Sequence, residues 1–179
     1  MKSLKEIYNN NKTSKVGWGD KGNVHSYIDH YYSSAFESYR KSAKYVLEIG
    51  VKGGHSLNMW KQYFENAHII GVDNQVRNTI CPTCEVIIGD ATLKETFTNV
   101  PKLDIIIDDG SHMIEHQLKS FEILWDKLKP GGLYVIEDVA DLDNTRGQLM
   151  DLHESAEVFD FRNKLNRYDD VIVQYRKPE

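Results

Sequence analysis

Leu47-Glu48-Ile49-Gly50-Val51-Lys52-Gly53-Gly54-His55-Ser56 decides the fold: an apolar run stops at a glycine-rich loop, and a helical pattern follows at once. Glycines at such a point let the backbone turn tightly and approach a ligand with no Cβ in the way. Outward from it, short apolar runs alternate with amphipathic stretches. Residues 45–49, 68–72, 86–88, 103–107 and 133–136 are rich in β-branched side chains, bounded by Gly, Asp or Pro, and read as buried parallel strands. Between them, residues 56–64 and 114–128 carry apolar side chains at helical spacing, the second stretch being stopped by Lys129-Pro130-Gly131-Gly132. Strands alternating with helices of this length predict right-handed βαβ crossovers and an α/β, doubly wound, mostly parallel sheet. Past Asp138, residues 144–153 predict one more helix. Residues 157–161 and 171–175 flank a polar loop and predict an antiparallel β-hairpin at the sheet edge.

A chain of 179 residues without repeats or linkers predicts one globular domain, 44–179, preceded by a helical cap segment, 1–43. Tyr27, Ile28, Tyr31, Tyr32, Phe36 and Tyr39 form an aromatic stripe at helical spacing in that segment, and such stripes are core before they are ligand contacts. Twenty-two basic residues against 27 acidic ones give a net charge of −5 with no basic stripe, which argues against a nucleic-acid partner. No apolar window reaches membrane-span length and Met1-Lys2-Ser3-Leu4-Lys5 lacks a signal-peptide core, so a cytoplasmic protein with no membrane partner is expected. Cys81 and Cys84 form a lone Cys-Pro-Thr-Cys with no second ligand pair and read as reduced loop thiols.

Ligands of open α/β sheets bind beyond the carboxyl ends of the strands, which puts Gly50, Gly53 and Ser56 at a cofactor. A dinucleotide fingerprint would need glycine where Lys52 and His55 stand, so hydride transfer is disfavoured. Asp73 closes the second strand, where a carboxylate accepts ribose hydroxyls; a helix cap or solvated loop is the alternative. Gly89-Asp90-Ala91 closes the third, where an acid meets an adenine amino group, or simply makes a turn. Glu48, Asp73, Asp90 and Asp108 thus end strands one to four in turn.

The densest chemistry lies in Ile107-Asp108-Asp109-Gly110-Ser111-His112, with His116 one helical turn on, and in Ile136-Glu137-Asp138 after the fifth strand. Strands four and five are neighbours in a doubly wound sheet, so Asp109, Glu137 and Asp138 converge, or else form a solvated rim. Three such carboxylates raise one another's pKa unless a cation sits among them, and oxygen-only ligation suits Mg²⁺ or Mn²⁺. His112 is the candidate base, with His116 as a second choice; the alternative leaves proton removal to a metal-bound water.

Leu47-Glu48-Ile49-Gly50, Gly71-Val72-Asp73, Gly89-Asp90-Ala91 and the Pro130-Gly131-Gly132 turn resemble class I S-adenosylmethionine-dependent methyltransferases over about residues 44–177. The resemblance implies a Rossmann-like fold with Glu48 and Gly50 facing the methionine part of S-adenosyl-L-methionine, Asp73 the ribose, and Asp90 with Ala91 the adenine. Lys52 departs from the commonest glycine-rich form of the loop. Asp108-Asp109-Gly110-Ser111-His112 and Ile136-Glu137-Asp138, with Asp20-Lys21-Gly22, His25 and Tyr27 upstream, further resemble the metal-dependent sugar O-methyltransferases of macrolide antibiotic biosynthesis, the mycinamicin and macrocin type. This implies Asp109, Glu137 and Asp138 as metal ligands, His112 as base, and a small-molecule or glycan acceptor. That group carries more chain over its acceptor site than the forty or so residues preceding the first strand here, which implies either a large acceptor or a pocket completed by another subunit of a homo-oligomer. Metal-independent N- or O-methyl transfer, and cofactor binding without turnover, are the competing readings.

Overall fold

The computed structural model describes residues 2–13, 19–75 and 80–179. Seven strands, β1 (Tyr45–Ile49), β2 (His68–Asp73), β3 (Glu85–Ile88), β4 (Leu103–Asp108), β5 (Leu128–Ile136), β6 (Glu157–Asp160) and β7 (Val171–Arg176), form one sheet in the order β3-β2-β1-β4-β5-β7-β6. β1 to β5 pair in parallel, while β7 runs antiparallel to both β5 and β6. The expected hairpin is therefore present, but its second strand is inserted between β5 and β6. The strand order reverses between β1 and β4, which opens the crevice into which their carboxyl ends point.

Continuous apolar strands serve both faces of this sheet by simple alternation. Val46, Ile69, Ile105, Ile107 and Val135 pack beneath the N-terminal segment and Trp60, Tyr63 and Phe64 of helix His55–Tyr63. Leu47, Ile70, Val72, Ile106, Tyr134 and Ile136 pack on the other face, against Phe121 and Leu124 of helix Ile114–Leu124 and Leu149 of helix Leu142–Asp151. No helix among the described residues is long and apolar enough to cross a membrane.

Four expectations need correction. The aromatic stripe does not form one α-helix: Ile28–Tyr32 is a π-turn, Ser33–Ala35 one α-turn and Glu37–Tyr39 a 3₁₀ turn, a path that sets Tyr27, Tyr31, Tyr32 and Phe36 all into the core. A regular helix does form earlier, at Leu4–Thr13, started by Ser3 and Glu6: Glu6 N–H donates to Ser3 Oγ at 3.2 Å and Ser3 N–H to Glu6 Oε2 at 2.7 Å. Helix Ile114–Leu124 stops short of Leu128, and Lys129 to Gly132 lie within β5 as an irregularity, since Pro130 offers no N–H to the ladder with β4. Finally, Cys81 and Cys84 are joined in a disulfide rather than standing as reduced thiols. The short loop closes a turn in which Cys84 N–H donates to Cys81 C=O at 3.2 Å, bringing the two side chains together.

Candidate functional site

The loop after β1 and the loop after β4 meet backbone to backbone. Gly50 has φ +90°, and a Cβ there would lie 1.9 Å from the Asp109 carbonyl oxygen, so only glycine permits the approach. Asp109 N–H donates to Ile49 C=O at 3.0 Å across the same seam. From β2, Asp73 Oδ2 accepts the N–H groups of Val51 and Lys52, both at 3.0 Å, and so fixes the glycine loop.

Two cavities adjoin along this seam and share Gly50, Asp73 and Gly110. The larger, about 330 Å³, is bordered by Asp20, Gly53, Ser56, Asp109 and His112. The other, about 230 Å³, is bordered by Asp90, Ala91, Asp108 and His116. Together they make a cleft of nucleoside-cofactor proportions along the sheet edge. Asp90 is exposed, and its Oδ1 accepts the Thr92 N–H and hydroxyl at 2.8 and 2.7 Å, which hold its pKa below the ordinary value. Asp108 is buried with one oxygen unpartnered among the described residues, and burial pushes its pKa up to about 7. His116 faces this second cavity, its Nδ1 2.8 Å from Ser111 Oγ, while His112 faces the first.

Side chains at the carboxyl ends of β1, β4 and β5 converge as two groups that share Asp109, one of Glu48, Asp109 and Glu137, the other of Asp109, His112 and Asp138. The inner group surrounds Lys21, whose Nζ lies 2.7 Å from Asp109 Oδ2, 2.6 Å from Glu137 Oε1 and 3.3 Å from Glu48 Oε1. Burial opposes the charge on Lys21, yet the three carboxylates together hold its pKa well above the usual value. Burial raises Glu48 and Glu137 in turn, with Lys21 pulling the other way. Ser56 donates to Glu48 Oε2 at 2.7 Å, and the Tyr32 hydroxyl donates to Glu137 Oε1.

In the outer group Asp109 and His112 border the larger cavity, and Asp138 lies buried beside them. His112 Nε2 lies 3.9 Å from Asp138 Oδ2, and burial followed by the Asp109 charge raises the Asp138 pKa to about 7. Tyr27 donates to Asp138 Oδ1 at 2.7 Å. Three residues of the rim, Lys52, His112 and Asp138, have φ between +49° and +58°, a left-handed conformation that side chains adopt only at a cost. The carboxylate oxygens match the donors that Mg²⁺ or Mn²⁺ takes, and the His112 imidazole stands beside them as a nitrogen base. Sequence reasoning placed Asp109, Glu137 and Asp138 together, but gave no role to Lys21 or to the hydroxyls of Tyr27 and Tyr32.

The family model described as a methyltransferase domain matches residues 47–139, just over half of the chain. The 8-demethyl-8-alpha-L-rhamnosyl tetracenomycin-C 2'-O-methyltransferase of Streptomyces olivaceus is 38% identical over 67% of this chain and 35% of its own length. The demethylmacrocin O-methyltransferase of Streptomyces fradiae is 38% identical over 66% of this chain and 33% of its own. The chain thus spans about a third of the length of these relatives. Among solved structures, the methyltransferase MycE of the mycinamycin biosynthetic pathway, in complex with Mg, SAH and mycinamycin VI, superposes with a TM-score of 0.77 at 25% identity, over 99% of this chain and 54% of that one. With the order of its mixed sheet and the acids along its edge, the chain belongs to this methyltransferase family and carries the class I fold.

Proposed function

We propose that this chain is an S-adenosylmethionine-dependent O-methyltransferase that uses Mg²⁺, or Mn²⁺ in its place, and acts on a hydroxyl of a sugar, glycoconjugate or secondary metabolite. The observation that carries it is the continuous cleft whose two halves share Gly50, Asp73 and Gly110 and whose larger half ends on Asp109 and His112. The sugar O-methyltransferase relatives and the Mg and SAH complex of MycE support the same reading.

In this reading Glu48, Gly50, Gly53 and Ser56 border the methionine part of the cofactor, Asp73 the ribose, and Asp90, Ala91 and Asp108 the adenine. Methyl transfer is an in-line displacement at an activated sulfonium, so the protein has chiefly to align the acceptor and remove its proton. His112 takes that proton, with the Asp138 carboxylate beside it stabilising the imidazolium that results. Asp109, Glu137 and Asp138 supply the anionic rim that holds the cation, which when bound draws the acceptor oxygen and eases its deprotonation. Residues 1–43 act as the cap over the 44–179 domain, and a second copy of the chain closes the acceptor side.

The test is transfer of labelled methyl to a panel of sugar acceptors, with and without chelator. Transfer should vanish with chelator and return with Mg²⁺, and His112→Ala should lower kcat about 10²- to 10⁴-fold while leaving cofactor affinity intact. Transfer untouched by chelator overturns the metal role. Cofactor binding without turnover on any acceptor overturns the enzyme.

A further inference from the structure

We propose that His116 reads the adenine of the cofactor: from the first turn of helix Ile114–Leu124 its imidazole donates to N7, while Asp90 accepts from the amino group next to it. The inference rests on the cofactor reading above and deepens it, giving His116 a binding role in place of proton transfer.

His116 stands apart from the acceptor side. It borders the second cavity, with Asp90, Ala91 and Asp108, whereas His112 borders the first. Its ring is set by Ser111. Met113 N–H donates to Ser111 Oγ at 3.4 Å, which leaves the hydroxyl proton for His116 Nδ1, 2.8 Å away. Nδ1 therefore accepts, and the remaining ring proton sits on Nε2, because the partner of one imidazole nitrogen decides the state of the other. Among the described residues Nε2 has no hydrogen-bond partner.

Asp90 faces the same cavity with one oxygen committed. Oδ1 takes the Thr92 hydroxyl and N–H at 2.7 and 2.8 Å, while Oδ2 has no partner among the described residues. The two Thr92 bonds first, and the nearby His116 ring last, hold this carboxyl below its ordinary pKa, so it stands as an acceptor. The serines of the cavity wall have spent their protons, Ser111 on His116 and Ser120 on Ala91 C=O at 3.4 Å, and Asn74 lies beside Asp73 at the ribose end. A free acceptor and a free N–H donor thus border one space of about 230 Å³. Adenine carries the complementary pair on one edge, its N6 amino group as donor beside N7 as acceptor, whereas guanine would turn O6 toward Asp90.

Calorimetry with two probes tests this: S-adenosylhomocysteine and its 7-deaza analogue, in which a C–H replaces N7. Wild type should bind the 7-deaza compound about 10-fold more weakly, the loss expected for one neutral hydrogen bond. His116→Ala should bind the two probes alike, and His116→Gln, whose amide nitrogen reaches the place of Nε2, should regain part of the difference. His116 is exposed and alanine suits a helix, so the fold should persist, with circular dichroism as the check. A histidine that merely shaped the Ser111–Met113 loop would shift both affinities together and leave their ratio alone. A wild-type ratio of one, or a ratio that survives His116→Ala, therefore overturns the inference. Wild type that binds neither probe would overturn the cofactor reading beneath it as well, a result distinct from binding without discrimination.

Discussion

The hydroxyl of Tyr27 donates to Asp138 Oδ1 at 2.7 Å and accepts the Asp138 backbone N–H at 3.3 Å, so one side chain holds both ends of the same residue. Asp138 needs such holding, because its φ of +54° is a left-handed conformation that a non-glycine residue leaves readily. Tyr27→Phe keeps the buried ring and removes both bonds. Stability should fall by about 1–3 kcal/mol, the usual consequence of leaving a buried polar group unpartnered. The Tyr27 hydrogen bond also pulls the Asp138 pKa down, against burial and the Asp109 charge. Without it the Asp138 pKa rises, and the acid limb of the pH–rate profile should move to higher pH. Denaturant melts and a pH profile that both match wild type would refute this role.

Asp73 predicts a different loss. Its carboxylate already accepts three backbone N–H groups, from Val51 and Lys52 on Oδ2 and from Gln75 on Oδ1 at 2.9 Å. It therefore shapes the glycine loop as well as facing the cleft. Asp73→Ala should weaken S-adenosylhomocysteine binding about 100-fold by calorimetry, whereas Asp73→Asn, which retains a carbonyl acceptor, should lose less. Equal affinity in Asp73→Ala and wild type would leave the loop self-supporting.

These two residues also mark how far the sequence could be read. Asp73 was legible because an apolar run ending in an acid, inside an alternating strand and helix pattern, has to lie at the ligand edge of a doubly wound sheet. The same topology brings Asp109 and Asp138 together, because they follow the neighbouring strands β4 and β5. Lys21 was not legible as a counter-ion, since its partners Asp109 and Glu137 lie 88 and 116 residues away and Asp20-Lys21-Gly22 reads locally as a turn. The tyrosine stripe was legible as core, but periodicity says nothing about where the hydroxyls of Tyr27 and Tyr32 end. The irregularity in β5 escaped because Pro130-Gly131-Gly132 is the ordinary mark of a turn, and only pairing with β4 shows a strand running through it.

Asp108 carries a pH prediction that depends on neither acceptor nor metal. Its folded pKa is about 7 against an ordinary 3.8, because burial penalises the charged form. Between those values the folded chain keeps a proton that the unfolded chain has lost, so stability falls as pH rises through this window and is level above it. Asp108→Asn stays neutral and keeps an acceptor for the Gly110 N–H, which lies 3.3 Å from Asp108 Oδ1. Relative to wild type it should gain on the order of 2 kcal/mol at pH 8 and nothing at pH 3. Denaturant unfolding in chelator across that range measures it, and parallel stability curves for the two proteins would contradict a raised pKa.

The Cys81–Cys84 disulfide lies next to Ile80, whose N–H donates to Gly53 C=O at 3.1 Å, so the staple stands one residue from a tie to the cofactor loop. Cross-linking a loop this short stabilises by roughly 2 kcal/mol through loss of unfolded-chain entropy. For a chain of this size that corresponds to about 4–8 °C in Tm. The double substitution Cys81→Ser with Cys84→Ser should lower Tm by that amount and weaken S-adenosylhomocysteine binding, because the Ile80 tie loosens with the turn. Dithiothreitol should reproduce both effects in wild type and do nothing further to the double variant. That last comparison is the decisive one, since a reductant that shifts both proteins equally, or neither, would mean that the bond contributes nothing to the loop it adjoins.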